Sequence, residues 1–249
     1  IVKRVVNAVN GRVPVIAGTG ANATSEAIEL SLAAQNAGAD ACLLVTPYYN
    51  KPTQEGLYLH FKTIAAALSI PQILYNVPGR TACDMLPETV ARLAEVDGII
   101  GIKEATGIID RCAEILELCG DKMVVYSGDD LTSLDLILEG AQGSISVTAN
   151  VAPAKLSQVC ELGRSAFAAR KVPGQESQAQ ELISAAKSLD AELVGLHKNL
   201  FLESNPIPVK WAVEQMGEIG DGIRLPMTRL STKFQEPVLS AMKQAGVDV

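Results

Sequence analysis

Short apolar runs alternate with amphipathic stretches along the first two thirds of the chain. Runs at 13–17, 41–46, 71–78, 98–103, 123–127 and 143–148 are rich in Val, Ile and Leu. Each ends among Gly, Pro, Asn, Asp or hydroxylic residues, as buried strands closed by loops do. Between them the pattern predicts helices over 24–36, 54–68, 86–93 and 109–118, one leading to Gly140 and one opening at Pro153. Residues 1–9 read as the last turns of an amphipathic helix. Thr24 is expected to cap the next helix and Gly38 to stop it. Six strands alternating evenly with six helices predict a parallel sheet covered on both faces, and a (β/α) barrel rather than a doubly wound sheet. No GxGxxG follows the first strand, which removes the main positive sign of a dinucleotide fold. Beyond about residue 156 the strand pattern stops. A helical pattern broken by Pro173, Pro206, Pro208, Pro226 and Pro237 takes over. The expected division is a barrel over 1–165 and a C-terminal helical domain over 166–249.

Composition narrows the function classes. The 249 residues are 48% apolar and 20% charged, which suits a globular protein with a sizeable core. The net charge of −7 and the lack of any Lys/Arg run argue against a nucleic-acid partner. No apolar run is long enough to span a bilayer. No signal peptide is read at the start, but the sequence begins at Ile1 without a methionine, so a segment preceding it is expected. The cysteines at 42, 83, 112, 119 and 160 are odd in number and scattered without a CxxC pair. They suit buried thiols in a reducing cytoplasm better than a disulfide frame or zinc site. The histidines, His60 and His197, belong to no cluster with metal-ligand spacing, so no metal is expected and neither is given a catalytic part.

In a (β/α) barrel the site lies at the C-terminal ends of the strands. Those ends read Gly-Thr-Gly, Thr-Pro-Tyr-Tyr-Asn, Tyr-Asn-Val-Pro, Lys-Glu-Ala-Thr-Gly, Ser-Gly-Asp-Asp and Val-Thr-Ala-Asn. Small, hydroxylic and amide residues thus converge on one lysine, Lys103. An apolar strand end disfavours the ammonium form, and a neutral amine attacks a carbonyl to form a Schiff base. Taken alone, Lys103 also fits a strand-end lysine that snorkels to solvent or pairs with Glu104. Tyr75 likewise fits a core tyrosine, Arg80 a surface ion pair, and Tyr48 and Tyr49 packing aromatics at an interface. Asp129 and Asp130 read as acids capping the helix that follows them.

The set GTGAN, LVTPYYNKPTQEGLY, ILYNVPGRT, IIGIKEATG, YSGDD, ISVTANVAP and NPIPVKWA closely resembles the bacterial 4-hydroxy-tetrahydrodipicolinate synthase family, also called dihydrodipicolinate synthase. The resemblance runs from about residue 5 to about residue 246, and YNVPGRT together with GIKEATG is its most specific part. It implies a (β/α)8 TIM barrel with a C-terminal helical domain. It implies a lyase that condenses pyruvate with L-aspartate-4-semialdehyde in the diaminopimelate route to lysine. The family resemblance further implies a cytoplasmic homodimer or homotetramer that needs no cofactor beyond a covalent imine. On the matching positions, Lys103 forms the imine with pyruvate and Tyr75 relays protons beside it. Tyr49 reaches into the neighbouring subunit's site. Arg80 receives the carboxylate of the semialdehyde, and Gly128 and Ile145 line the pyruvate pocket. Asn22, Glu26 and Tyr48 match three residues of a site where some members bind L-lysine as a feedback inhibitor. Glu26 equally suits a first-turn helix carboxylate.

This sequence departs from the family in two places. The family's chain begins with two further strands, the second ending in a Gly-Thr-Thr-Gly-Glu turn whose threonine joins the relay. That turn is absent, so the chain is expected to lack the first two β/α units, roughly the 50–60 residues that eight rather than six units require. Residues 170–195 also look longer than the usual connection, with 172–177 as an inserted turn. The competing readings are a sister pyruvate aldolase, such as N-acetylneuraminate lyase or a 2-keto-3-deoxy sugar acid aldolase, and a barrel that binds a keto acid or lysine without turning it over. The double tyrosine and the Arg80 loop favour the synthase.

Overall fold

A computed structural model describes all 249 residues, which gather into two compact units, Ile1–Gly128 and Asp129–Val249. In the first unit a helix α1 (Val2–Val9) precedes β1 (Ile16–Gly18), α2 (Thr24–Asn36), β2 (Ala41–Val45), α3 (Gln54–Ala67) and β3 (Gln72–Asn76). Then follow α4 (Pro78–Thr81), α5 (Pro87–Leu93), β4 (Ile99–Glu104), α6 (Ile109–Cys119) and β5 (Val124–Ser127). Each strand pairs in parallel with the next in sequence, giving the order β1-β2-β3-β4-β5. This is the order of a barrel wall, whereas a doubly wound sheet reverses direction at a switch point.

The helices cover this sheet with their apolar faces. Leu57, Phe61 and Ile64 of α3, Leu93 of α5 and Ile115 of α6 are fully buried, as are Leu44, Leu74 and Ile102 of the strands. Full burial contributes about 1.5–3 kcal/mol for each such side chain. The start of α3 is fixed by Thr53, whose hydroxyl accepts from the Gly56 amide at 3.1 Å. Gly38 turns the chain out of α2 at φ +91°. Thr24 corrects the expected cap. It is the first helical residue rather than the N-cap, and its hydroxyl meets His60 Nδ1 at 2.9 Å. Its oxygen is taken up between two helices and does not serve the backbone.

Within β4, Ile100 is 44% exposed, not buried as the β-branched run suggests. The register explains it. Gln72 pairs with Ile99 and Ile73 with Gly101, so Ile100 is the extra residue of a β-bulge. Gly101 follows because the chains approach closely there: a Cβ would lie 2.9 Å from the Val124 carbonyl oxygen.

The second unit is helical. It contains α7 (Ser133–Leu138), α8 (Pro153–Arg170), α9 (Glu176–Asn199), α10 (Ile207–Gln215) and α11 (Thr232–Gln244). Their core includes Leu156, Val159, Leu193, Leu196, Trp211 and Met242. Of the residues expected to form an inserted turn at 172–177, 172–175 lie in the connection between α8 and α9, with Gly174 at φ +85°, whereas 176–177 open α9. No helix is long and apolar enough to cross a membrane.

The sixth strand predicted at 143–148 does not form. Only Ser144 makes a single bridge, and Thr148–Asn150 winds into a 3-10 turn. Asp130 is the physical reason. Its Oδ2 accepts from the Val147 amide at 3.1 Å, the Thr148 amide at 3.0 Å and the Thr148 hydroxyl at 3.3 Å. A carboxylate gathering successive amides caps a helical turn and occupies N–H groups that a ladder needs. Thr148 is further held by His197, whose Nδ1 lies 2.8 Å from the hydroxyl. Asp130 therefore does not cap the helix that follows it. Asp129 serves that end, its Oδ2 accepting from the Thr132 amide at 3.1 Å and hydroxyl at 2.9 Å.

Candidate active site

The strand register builds one row of side chains across the sheet. Val45 pairs with Tyr75, Tyr75 with Lys103, and Lys103 with Tyr126. Residues in register on adjacent strands point to the same face. All four are half-buried, while Leu44, Leu74, Ile102 and Val125, one position earlier, are buried. The row is where this face of the sheet opens.

Lys103 Nζ lies 4.2 Å from the centre of the Tyr75 ring, a cation over an aromatic face. Its stem passes Gly128. A Cβ at that glycine would sit 2.8 Å from Lys103 Cε, 2.9 Å from Lys103 Cγ and 2.7 Å from the Ala105 methyl. Gly128 is thus the space the lysine occupies, and this places it beside Lys103 by geometry. Gly128→Ala is expected to push the stem off Tyr75. Overpacking of this kind costs about 1–3 kcal/mol. The check is borohydride trapping of pyruvate, which should slow at least about tenfold, as expected where misplacing a reacting group by 1 Å costs up to 100-fold. Trapping at the wild-type rate would refute this account of Gly128.

Burial raises the Tyr75 phenol above its ordinary value, and the nearby Arg80 charge partly offsets this. The phenol therefore keeps its proton at neutral pH and is able both to donate and to accept. Arg80 stands on α4, the single turn directly after β3, and is exposed. Glu104 turns to the opposite face, where its Oε1 accepts from the Thr106 amide at 2.7 Å and its Oε2 from Asn76 Nδ2 at 3.1 Å.

Tyr49 occupies a strained position. Its φ is +76°, and the Asn50 amide bonds the Tyr48 carbonyl at 3.0 Å, closing a three-residue γ-turn. Such turns are rare, and a non-glycine residue held there costs on the order of 1–3 kcal/mol. The turn presents a tyrosine 87% exposed. Its backbone is anchored to α4 by the Tyr49 amide, which donates to the Thr81 carbonyl at 3.3 Å. The same loop reaches the start of α2, where Asn50 Nδ2 donates to the Asn22 carbonyl at 2.8 Å. Asn22 and the Tyr48 turn are therefore joined, with Tyr48 42% exposed and Glu26 exposed on the first turn of α2. Ile145 is half-buried in the second unit, just before the 3-10 turn.

Tyr126, Asn76 and Glu104 fall inside the motifs YSGDD, YNVPGRT and GIKEATG, but the resemblance assigns none of them a role. The signal for all three is strand phase: once Tyr75 and Lys103 are neighbours, Tyr126 shares their face and Asn76 and Glu104 share the other. No group of three or more His, Cys, Asp or Glu is gathered as metal ligands would be.

Residues 1–245 match the model of the dihydrodipicolinate synthetase family. The chain belongs to the dihydrodipicolinate synthetase family. The 4-hydroxy-tetrahydrodipicolinate synthases of Stutzerimonas stutzeri (strain A1501) and Pseudomonas aeruginosa are each 58% identical over 247 residues, covering 99% of this chain and 80% of theirs. A crystal structure of the chloride-inhibited dihydrodipicolinate synthase of Acinetobacter baumannii, complexed with pyruvate, matches with a TM-score of 0.91 at 51% identity, over 100% of this chain and 80% of that one. The enzyme of Cyanidioschyzon merolae, solved with lysine bound, matches with a TM-score of 0.86 at 34% identity, over 98% of this chain and 78% of that one. The α/β architecture with its parallel sheet is thus that of the dihydrodipicolinate synthetase family, whose fold is a TIM barrel.

Proposed function

We propose that this chain is a 4-hydroxy-tetrahydrodipicolinate synthase, condensing pyruvate with L-aspartate-4-semialdehyde in lysine biosynthesis. The observation that carries this is the Lys103 ammonium seated 4.2 Å over the Tyr75 ring, in register on adjacent strands, in a chain 58% identical to enzymes of that name. On this reading the neutral Lys103 amine attacks the keto carbon of pyruvate. Tyr75 relays the protons that expel water and convert the imine to an enamine, the nucleophile for the second substrate. Arg80, exposed one turn beyond Tyr75, offers its planar fork to the carboxylate of the semialdehyde. Gly128 and Ile145 line the pyruvate pocket. The covalent imine takes the place of any cofactor. The barrel is assigned to 1–165 and the helical domain to 166–249.

Comparing turnover of pyruvate plus semialdehyde with cleavage of N-acetylneuraminate tests the reading. Turnover of the first pair alone is expected. Cleavage of the sugar acid without it would hand the chain to the sister aldolases, and imine formation without turnover of either would make it a binding barrel.

The strained, exposed Tyr49 turn supports an assembly of two or four copies, in which Tyr49 completes the relay of its neighbour; a cytoplasmic location is proposed on the family resemblance alone. Mixing Tyr49→Phe chains with Lys103→Ala chains is expected to restore part of the activity, because one site in each mixed dimer then holds an intact lysine and an intact donated tyrosine. No recovery after proven subunit exchange would remove Tyr49 from the relay. Asn22, Glu26 and Tyr48 are proposed to take L-lysine at the same interface, supported by the Asn50 bridge that joins Asn22 to the Tyr48 turn.

A further inference from the structure

Directly behind the Tyr75–Lys103 pair lies a second pair, Asn76 and Glu104, one residue later on the same two strands and in register with each other. The first pair is half-open, but Asn76 is 0% and Glu104 1% exposed. A buried carboxylate is costly unless its oxygens are satisfied. Both are: Glu104 Oε1 takes the Thr106 amide at 2.7 Å and Oε2 takes Asn76 Nδ2 at 3.1 Å. Burial nonetheless raises the Glu104 carboxyl above its ordinary value, against the opposing pull of Thr106, Asn76 and Arg111.

Asn76 extends the connection. Its Nδ2 also donates to Asp84 Oδ1 at 2.9 Å, and its Oδ1 accepts from the Met85 amide at 3.0 Å. Asp84 in turn holds Arg111 of α6 through two bonds, at 3.1 and 3.2 Å. The strand ends are pinned by the main chain as well. The Ala105 amide donates to the Asn76 carbonyl at 2.9 Å and the Gly128 amide to the Glu104 carbonyl at 2.7 Å. One polar chain therefore clamps the ends of β3 and β4, the turn leaving Lys103, and the segment just beyond Arg80. None of its side chains lies on the face that carries Lys103.

We propose that Glu104, acting through Asn76 and Asp84, is a positioning residue for the imine site: it fixes Lys103 against Tyr75 and sets the Arg80 segment relative to both. The inference rests on the reading of Lys103 as the imine lysine. Glu104→Gln keeps the volume but places an amide N–H₂ against either the Asn76 or the Thr106 donor, so one of the two bonds is lost. Asp84→Asn similarly turns a donor toward Arg111 and frees the Arg80 segment, while leaving Glu104 in place.

The experiment uses the full chain, with melting curves, borohydride trapping of pyruvate, and kcat and KM for the semialdehyde. Wild-type protein is the control for the underlying reading: if it traps no pyruvate on Lys103, that reading fails, not this one. Glu104→Gln, measured where it is fully folded, is expected to trap pyruvate about 10–100-fold more slowly, in line with the loss seen when a buried supporting partner is removed. Asp84→Asn is expected to raise KM for the semialdehyde at least about threefold with little change in trapping, the split expected of lost ground-state positioning. A folded Glu104→Gln that traps pyruvate at the wild-type rate overturns the proposal. If Glu104→Gln does not fold, Asp84→Asn decides: a wild-type KM overturns the proposal, and a raised one with unchanged melting supports it.

Discussion

Lys103→Ala is expected to lose all imine formation, and with it all synthase turnover. Borohydride added with pyruvate should fix a pyruvyl mass on the Lys103 peptide of the wild-type chain and on no peptide of the variant. Structure sharpens the expectation. Lys103 is the residue in register with Tyr75, its ammonium rests on that ring, and Gly128 leaves the space its stem fills. No other lysine meets these three conditions together. Lys103→Arg should fail equally, because guanidinium stays protonated at any working pH and is no nucleophile. Label recovered on Lys51 or Lys210 would overturn the assignment.

Arg80→Ala should separate the two substrates. Where the bound semialdehyde buries the Arg80–carboxylate contact, cutting it on one side costs roughly 2–5 kcal/mol. That is about 30- to 4,000-fold in kcat/KM for the semialdehyde, at 1.4 kcal/mol per tenfold. Imine trapping with pyruvate should stay within a few-fold of wild type. The variant should also alter the alkaline side of the pH profile. Arg80 holds the Tyr75 phenol down against the rise that burial causes. Without it the phenol keeps its proton to still higher pH, so any alkaline limb governed by Tyr75 should move upward, leaving neutral pH unaffected. Normal use of the semialdehyde by Arg80→Ala would favour the sister aldolases.

Much of this was legible in the sequence because local rules and the tertiary answer agree. The runs at 41–46, 71–78 and 98–103 are apolar, bounded by turn residues, and became strands β2, β3 and β4. The family motifs sit at their ends, so the sequence alone points to Lys103, Tyr75 and Arg80. The failures are cases in which a long-range contact overrules a short-range preference. Residues 143–148 are as β-prone as any strand here, yet Asp130, distant in sequence, binds their amides. Thr24 has the chemistry of a cap, yet its hydroxyl is taken by His60. Ile100 is β-branched, yet a bulge in the register turns it to solvent. Tyr126 is less legible because its relation to Lys103 is set by register across strands, and the role of Glu104 because its partner Asn76 stands on another strand.

That register also constrains how the protein is able to change over time. Along β3 and β4, alternate residues serve opposite sides: Tyr75 and Lys103 face the opening, and Asn76 and Glu104 the buried clamp. A strand that slips by one position exchanges its two faces completely. Deleting one residue within 101–103 would therefore put the Glu104 carboxylate where the amine belongs, inserting one there would bury the lysine among groups that already have partners, and either change within 73–75 would turn the Tyr75 phenol away from the opening. Amino-acid composition would hardly alter, but both the chemistry and its support would be lost in a single event. These two strands should accordingly tolerate substitutions but not changes of length. Gains and losses of residues should collect in connections such as the turn between α8 and α9, where no partner strand keeps count.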